Sequence, residues 1–400
     1  MSQTESQTKY SKTRIGFMIA AVLVCMVFTG FGNYKLVPMK AAIQGFFMVT
    51  DGAYGILNTA SGWLTVALSI PMGFLVRKLR CNISVIIGFS VAILGILIQV
   101  TTTSFPLFVA GRMVEGAGVG MVGLVTGTLI LTLVDRNHMS FWSGMMIFAG
   151  VIPSVLMSKG GTMLLLRLNL TFQRIFLIIA ILYAVFIVVW CVMVPFSLKV
   201  HGVSSAIKPT REQTMRVVKN KSNWLVALAN IAFTGASITF MAYIIPFLMT
   251  KGIPQEQAAD LYSYNTVLGL ISMIAFGFIS DKLHTKRKIA IVSFFAGAVA
   301  YTLLAVLPSG FMFIWVILWG TLPRSIAGMT SASAADIAET PSDIPIANSV
   351  KNTISQIGTI LIGILYGFTI QWFGYEVTAI IIAVELVLGG ICWIFAKKIP

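Results

Sequence analysis

The sequence predicts an all-α integral membrane protein with twelve transmembrane helices in two pseudo-symmetric six-helix bundles. Three observations carry that prediction. Of the 400 residues, 57% are hydrophobic and only 10% charged, where soluble domains carry about 25% charged residues. Apolar segments of the roughly 20 residues needed to cross a bilayer recur along the whole chain. A charged turn also repeats. The stretch GFISDKLHTKRK, Gly277 to Lys288, closes one apolar segment and opens the next, and GFLVRKLRCN from Gly73 does the same about half a chain earlier. A repeat on that scale divides the chain into two similar halves.

Taken in order, residues 1–14 are a polar N-tail carrying Lys9, Lys12 and Arg14. A basic start before an apolar run suits a signal peptide, but no A-x-A-like cleavage site follows and many further apolar segments do. The N-terminal bundle is expected over 15–196, with spans near 15–35, 53–76, 82–101, 105–134, 140–158 and 174–196. Residues 197–222 form a basic linker with Lys199, Lys208, Arg211, Arg216, Lys219 and Lys221, of which 210–221 suit a short interfacial helix. The C-terminal bundle is expected over 223–396, with spans near 223–249, 258–280, 288–307, 311–334, 344–370 and 377–396, before a C-tail of 397–400.

Loop charges orient this arrangement. With both termini cytoplasmic, most of the 28 Lys and Arg residues fall in the tails, the linker and the inner turns, as the positive-inside rule demands. Lys35, Lys40, Lys159, Arg167, Arg174 and Lys251 are expected outside, and the loop 159–174 runs against the bias. The net charge of +15 is therefore mostly an orientation signal, and no nucleic-acid partner is expected. The partners expected are the lipid bilayer, a small anionic substrate and a proton or other coupling ion.

Several chemistries are excluded. The four cysteines, Cys25, Cys81, Cys191 and Cys392, show no metal or redox spacing, and the three histidines fall in polar loops. No cofactor or metal is expected. Gly118 to Gly123 spell a formal GxGxxG, but no strand precedes it, so dinucleotide binding is rejected. Gly116, Gly120, Gly123 and Gly127 read instead as a close-packing ridge, and Gly363 and Gly367 repeat the device. With no H-E-x-x-H and no G-x-S-x-G, an intramembrane enzyme is not expected. A non-transporting receptor is disfavoured, since the sequence shows no soluble domain through which to signal.

Twelve spans in two repeated halves, joined by a basic loop, resemble the major facilitator superfamily over the whole chain. The later turn is similar to that family's loop motif G-x-x-x-D-[RK]-x-x-x-[RK]-[RK], with Gly277, Asp281, Lys282 and Arg287 in motif positions. The resemblance implies a gating role for these residues, with Asp281 helping to latch the cytoplasmic side. The earlier copy departs from the motif: Arg77 stands where the acid belongs and Arg80 where a glycine is usual. In that respect the chain resembles the prokaryotic cyanate and nitroimidazole permease-like branch and, less closely, the oxalate and organic-anion carriers. The implied protein is a monomer in the prokaryotic plasma membrane, working by alternating access with two six-helix bundles rocking about a midplane site.

Charged residues inside spans mark function, because a mid-bilayer charge costs about 2.5–3.5 kcal/mol even on the mildest scale. Arg112 and Arg324 both open R-x-x-x-G on the fourth span of their half, and Arg112 also matches the family's R-x-x-x-G-x-G. Two guanidiniums on helices that line the central path in that family would hold a carboxylate-like anion bidentately. Arg112 has a structural alternative, pairing with Glu115 one turn away. Lys351 borders a polar stripe of Asn348, Asn352, Ser355 and Thr359, which reads equally as a substrate face or a helix seam. Lys35, beside Tyr34, either contacts substrate or snorkels to the headgroups. Tyr243 and Asn265 are further candidate contacts, with Asn230, Thr234 and Ser237 forming a polar stripe on the seventh span. Glu115 is the candidate proton-coupling group, and Glu385, on the last span, reads as structural. The function predicted is proton-coupled uptake of a small anion, an organic carboxylate or a cyanate- or nitrate-like ion. Drug or metabolite efflux by proton antiport is the alternative. Exporters of the family carry G-x-x-x-x-x-x-x-G-P-x-x-G-G, which GMMIFAGVIPSV from Gly144 does not reproduce.

Overall fold

The computed structural model describes residues 12–79, 81–133, 139–194, 211–283, 285–337 and 344–396, and every regular element among them is helical. The expected tails up to residue 11 and from 397, most of the linker (195–210), Arg80 and Arg136 lie outside the described residues. Helices suit an apolar chain because each backbone group is satisfied within its own segment, which hydrocarbon requires.

Ten helices among the described residues are long and apolar enough to cross a membrane. The last of these lies within one 52-residue element, α16 (Ile344–Phe395), that is broken at Gly374 with φ 83° and ψ 175°. Glycine adopts that conformation without a Cβ clash, so α16 is two helices in succession. A further long helix, α3 (Asp51–Lys78), has 28 residues and carries Pro71 within it.

The chain divides into two compact units, one of Met1–Phe47 with Ala60–Ala206, the other of Met48–Thr59 with Ile207–Pro400. In the first, α1 (Lys12–Tyr34) packs on α5 (Phe105–Leu133) and α6 (Met139–Leu156), while α4 (Cys81–Thr101) packs on α5 and on α8 (Phe172–Met193). The α4–α5 contact is close because a Cβ on Gly95 would meet the backbone of Glu115 and Gly111. In the second unit, α10 (Lys221–Thr234) and α13 (Lys286–Val306) both pack on α16, and α12 (Gln255–Leu283) packs on α14 (Met312–Gly320).

Several boundaries differ from expectation. Residues 36–47, expected as part of an outer loop, begin with a buried stretch, 36–40, and include a short helix, α2 (Lys40–Phe47), that buries Lys40 and Ile43. Lys35 and Lys40 are 0% and 1% exposed. The fifth span continues beyond 158 through a π turn, Met157–Gly161, into α7 (Thr162–Leu166). Lys159 is therefore helical, and its small neighbours Gly160 and Gly161 lower the hydropathy without stopping the helix. The linker helix is present as α9 (Arg211–Lys219), and α10 begins directly after Asn220, whose side chain accepts from the Ser222 amide. The seventh span changes winding partway: α10 leads into a π turn, Gly235–Thr239, then a 3-10 turn, Phe240–Tyr243, and then α11 (Ile244–Thr250). The tenth is interrupted by a 3-10 turn, Leu322–Ser325, between α14 and α15 (Ile326–Ile337).

The glycine ridge of α5 behaves as two pairs. Gly116 lies against the backbone of Ser61, Gly120 lies against Thr65, and the Thr65 hydroxyl donates to Gly116 O at 2.7 Å. Among the described residues, Gly123 and Gly127 meet nothing within 4 Å, so the close approach is seen at the Gly116 and Gly120 end of the ridge. Gly116→Ala is expected to destabilise by about 1–3 kcal/mol, the usual cost of overpacking, whereas Gly123→Ala is expected to be neutral. Thermal unfolding of the two variants in one detergent checks this, and equal behaviour of the two would count against the packing.

Candidate functional site

A buried ionic cluster forms in the first unit, where the end of α1 meets α4 and α5. Glu115 Oε2 receives Lys35 Nζ at 2.8 Å, Arg112 Nη1 at 3.0 Å and Gln99 Nε2 at 2.8 Å. Arg112 and Glu115 share a face of α5 because they are three residues apart. Arg112 Nη1 also donates to Gly32 O at 2.6 Å. Lys35 Nζ donates to Gln99 Oε1 at 3.3 Å and sits 3.8 Å from the centroid of the Phe176 ring, within reach of its negative face. Lys35 and Glu115 are fully buried and Arg112 is 2% exposed. Such charges persist in a dry interior only when paired and hydrogen-bonded. The cluster holds two cations and one carboxylate, a net charge of +1. Lys35 is thus a buried partner of Glu115 and does not snorkel.

Every donor to Glu115 lands on Oε2. Its other oxygen, Oε1, and the hydroxyl of Tyr183 are buried without a hydrogen-bond partner among the described residues. Both flank Gly32: a Cβ there would come 2.7 Å from Tyr183 Oη and 3.2 Å from Glu115 Oε1.

In the second unit, Arg324 is half-buried on the 3-10 turn before α15. Its Nη2 donates to Asn265 Oδ1 at 3.2 Å and its Nη1 to Ser237 O at 3.4 Å, and its guanidinium stands 5.7 Å from the Trp319 ring centroid. Asn265 is oriented by its own amide nitrogen, which donates to Val316 O at 3.0 Å. Ser237 belongs to the π turn, where irregular winding leaves carbonyls for side chains. Tyr301 Oη likewise donates to Ala236 O at 2.6 Å.

The other expected residues are dispersed. Lys351 is buried and its ammonium donates to Thr330 O. Its stripe is partly a seam, for Ser355 Oγ donates to Ala227 O at 3.3 Å and the Thr359 and Thr234 hydroxyls lie 2.6 Å apart. Asn352 is exposed, and the Asn348 side chain lies outside what the structure describes. Tyr243 is buried with its ring 5.6 Å from that of Tyr54, and Tyr34 is half-buried at the end of α1. Gly277 and Asp281 lie in the last turns of α12, with the Asp281 side chain outside the described part, and Lys282 is exposed. Arg287 donates from Nε to Trp393 O at 3.2 Å and from Nη2 to Ile394 O. It thereby caps the carbonyl end of α16, while Lys286 pairs with Asp336 at 3.4 Å. A groove of about 460 Å³ lined by Asp260, Tyr264, Ser309 and Phe313 holds none of the intramembrane cations and lies outside both centres.

Gln99, Tyr183, Asp336 and the π turn carbonyls were not identified from the sequence. Gln99 left one signal, as the lone amide in the C-terminal half of an otherwise largely apolar α4. Glu115→Gln would leave two buried cations without their carboxylate, and removing one partner of a buried pair costs about 3–5 kcal/mol. The double variant Lys35→Met with Glu115→Gln is expected to recover much of that loss. Thermal melts of the four-member cycle check it, and additive effects would remove the claim that these residues act as one cluster.

The Major Facilitator Superfamily profile matches the chain over residues 22–339 and 252–400. The chain is 22% identical over 380 residues to the proton-coupled antiporter flippase LtaA of Staphylococcus saprophyticus subsp. saprophyticus, covering 92% of this chain and 91% of that protein. Among solved structures it is similar to a bacterial homolog of the human lysosomal transporter Spinster in an inward-facing and occupied conformation. That likeness has a TM-score of 0.80 at 15% identity and covers 98% of each chain. A mutant of the nucleoside transporter NupG gives a TM-score of 0.74 at 13% identity, over 95% of this chain and 99% of that one. These structures bear on the fold alone, and it is the family match along nearly the whole length that assigns the all-helical membrane protein to a family of transporters: the chain belongs to the Major Facilitator Superfamily.

Proposed function

We propose that this transporter takes up a small anion together with a proton, and that the cluster of Lys35, Arg112 and Glu115 links the two. The supporting observation is its charge. A proton alone on Glu115 would raise the buried charge from +1 to +2, and an anion alone would lower it to zero. A proton and a monovalent anion together leave it at +1. Once Glu115 is neutral, Lys35 and Arg112 are the cations that receive the substrate, and the guanidinium fork suits a carboxylate or a small oxyanion. Either ligand makes binding of the other more favourable, which is the reciprocity that coupling requires.

Arg324 and Asn265 are the corresponding substrate contacts of the second unit in this reading. Tyr34, Tyr243, Asn348, Lys351 and Asn352 are secondary contacts, while Gly277, Asp281, Lys282 and Arg287 serve the cytoplasmic gate. A monomer in the plasma membrane with both termini cytoplasmic completes the proposal. One observation favours the second reading, efflux by proton antiport: the curated relative similar over most of its length is named a proton-coupled antiporter.

A thermal-shift screen against small carboxylates, cyanate, nitrate and cationic drugs tests the substrate class. A ligand at 100 times its Kd adds about 2.7 kcal/mol. One anion is expected to stabilise wild type and to lose its effect on Arg324→Gln. In proteoliposomes that anion should accumulate when the outside is acidic. Stabilisation by cations or apolar drugs alone, or accumulation driven by an acidic interior, would replace uptake with antiport.

A further inference from the structure

Glu385 is a second carboxylate deep in a span, and the coupling proposed above leaves it unused. It lies midway between the break at Gly374 and the end of α16. Its Oε2 accepts a hydrogen bond from Tyr366 Oη, on the preceding half of the same element. Tyr366 is 1% exposed. Its hydroxyl presses on Gly235, where a Cβ would come within 2.8 Å of it.

Gly235 is the first residue of the π turn. The carbonyls of the next two residues, Ala236 and Ser237, accept from Tyr301 Oη and Arg324 Nη1. The Tyr301 ring stands edge-on to Trp319, centroids 4.8 Å apart, and Trp319 lies beside the Arg324 guanidinium. One short backbone segment therefore touches the Glu385–Tyr366 pair on one side and holds Arg324 on the other.

We infer that Glu385 and Tyr366 form a proton-binding site in the second unit, linked to Arg324 through the π turn Gly235–Thr239. The chemistry of the pair supports it. As a carboxylate, Glu385 only accepts, and Tyr366 must donate to it. As a carboxylic acid it has a proton of its own to donate, so the phenol is free to reorient. The backbone beside that phenol is the π turn, kept within reach because Gly235 has no side chain. Reorientation at Gly235 then moves the carbonyls that hold Tyr301 and Arg324. A π turn is suited to this, since its hydrogen bonds can exchange between alternative windings.

Among the described residues, few titratable or charged groups face Glu385. Tyr366 comes from α16 and Tyr301 from α13, and the π turn contributes no titratable side chain. Arg324 lies beyond Tyr301. The Lys251–Glu376 pair, 3.5 Å across, is about 13 Å away along the helix axis.

Infrared difference spectra of the full chain in lipid bilayers, titrated from mildly alkaline to acid with no substrate added, test the site. A protonated-carboxyl band should grow as the pH falls. It should vanish in Glu385→Gln, which keeps an acceptor for Tyr366, and persist in the double variant Lys35→Met with Glu115→Gln. Tyr366→Phe should shift its frequency, which decides the matter should Glu385→Gln not fold. Part of the tryptophan emission should follow the same titration and disappear in Trp319→Phe. A carboxyl titration identical in wild type and Glu385→Gln, or the absence of any titrating band beyond those of the other carboxyls, would overturn the site. A Glu385 band that titrates with Trp319 emission unchanged would overturn the link to Arg324. Because no substrate is present, failure here leaves the anion-uptake reading standing, and failure of that reading leaves this one standing.

Discussion

Placing charge in a dry interior is the constraint on which the first unit depends. Glu115 is tolerated there because three donors converge on one of its oxygens, and each comes from a different structural decision. Arg112 arrives by helical periodicity within α5. Gln99 arrives because Gly95 and Gly111 bring α4 and α5 together. Lys35 arrives because the chain after α1 stays buried over residues 36–40, which holds the lysine inward. The Phe176 ring then covers the ammonium, 3.8 Å from its centroid. Small residues and charged residues are thus parts of one solution: without the close approach the amide would not reach, and without the amide the carboxylate would have less to offset its desolvation.

The second unit meets the same requirement with dipoles. Arg324 stands where repeat logic places the counterpart of Arg112, on the fourth span of its half, but it is held by an amide oxygen, a backbone carbonyl and an indole face. The carbonyl comes from a π turn, so irregular winding in the seventh span supplies an acceptor that a straight helix would have kept for itself. The two halves share the R-x-x-x-G register and diverge in what surrounds it. That divergence fits a division of labour under the proposed coupling, because a carboxylate has a place for a proton and a backbone carbonyl does not.

The spans were readable because hydropathy and length are properties of a single segment. Arg112 with Glu115 was readable because a spacing of three fixes their contact within one helix. What could not be read depends on other helices. Lys35 looked like a residue at a membrane surface, since nothing in its own segment announces α2 or the distant Phe176. Gly123 and Gly127 continued a regular ridge, but whether a partner helix follows that ridge is decided by tilt, and among the described residues α3 meets Gly116 and Gly120. The π turns at Met157 and Gly235 leave no mark beyond scattered small residues. The extension of the fifth span past Lys159 was missed because three small or charged residues outweighed the helix around them.

The asymmetry of Glu115 carries the proposed coupling one step further. With all three donors on Oε2, a proton that arrives at Oε1 displaces none of them. Tyr183 Oη is the other buried oxygen beside Gly32. Protonation at Oε1 would not begin by breaking the ion pairs. It would remove the charge that sustains them, leaving Lys35 and Arg112 hydrogen-bonded to a neutral group and attracted to any anion that can enter. In that sequence the carboxylate holds the place of the substrate, and the proton releases it. Gly32 is the residue that permits this, since any larger side chain would occupy the space that the two oxygens flank.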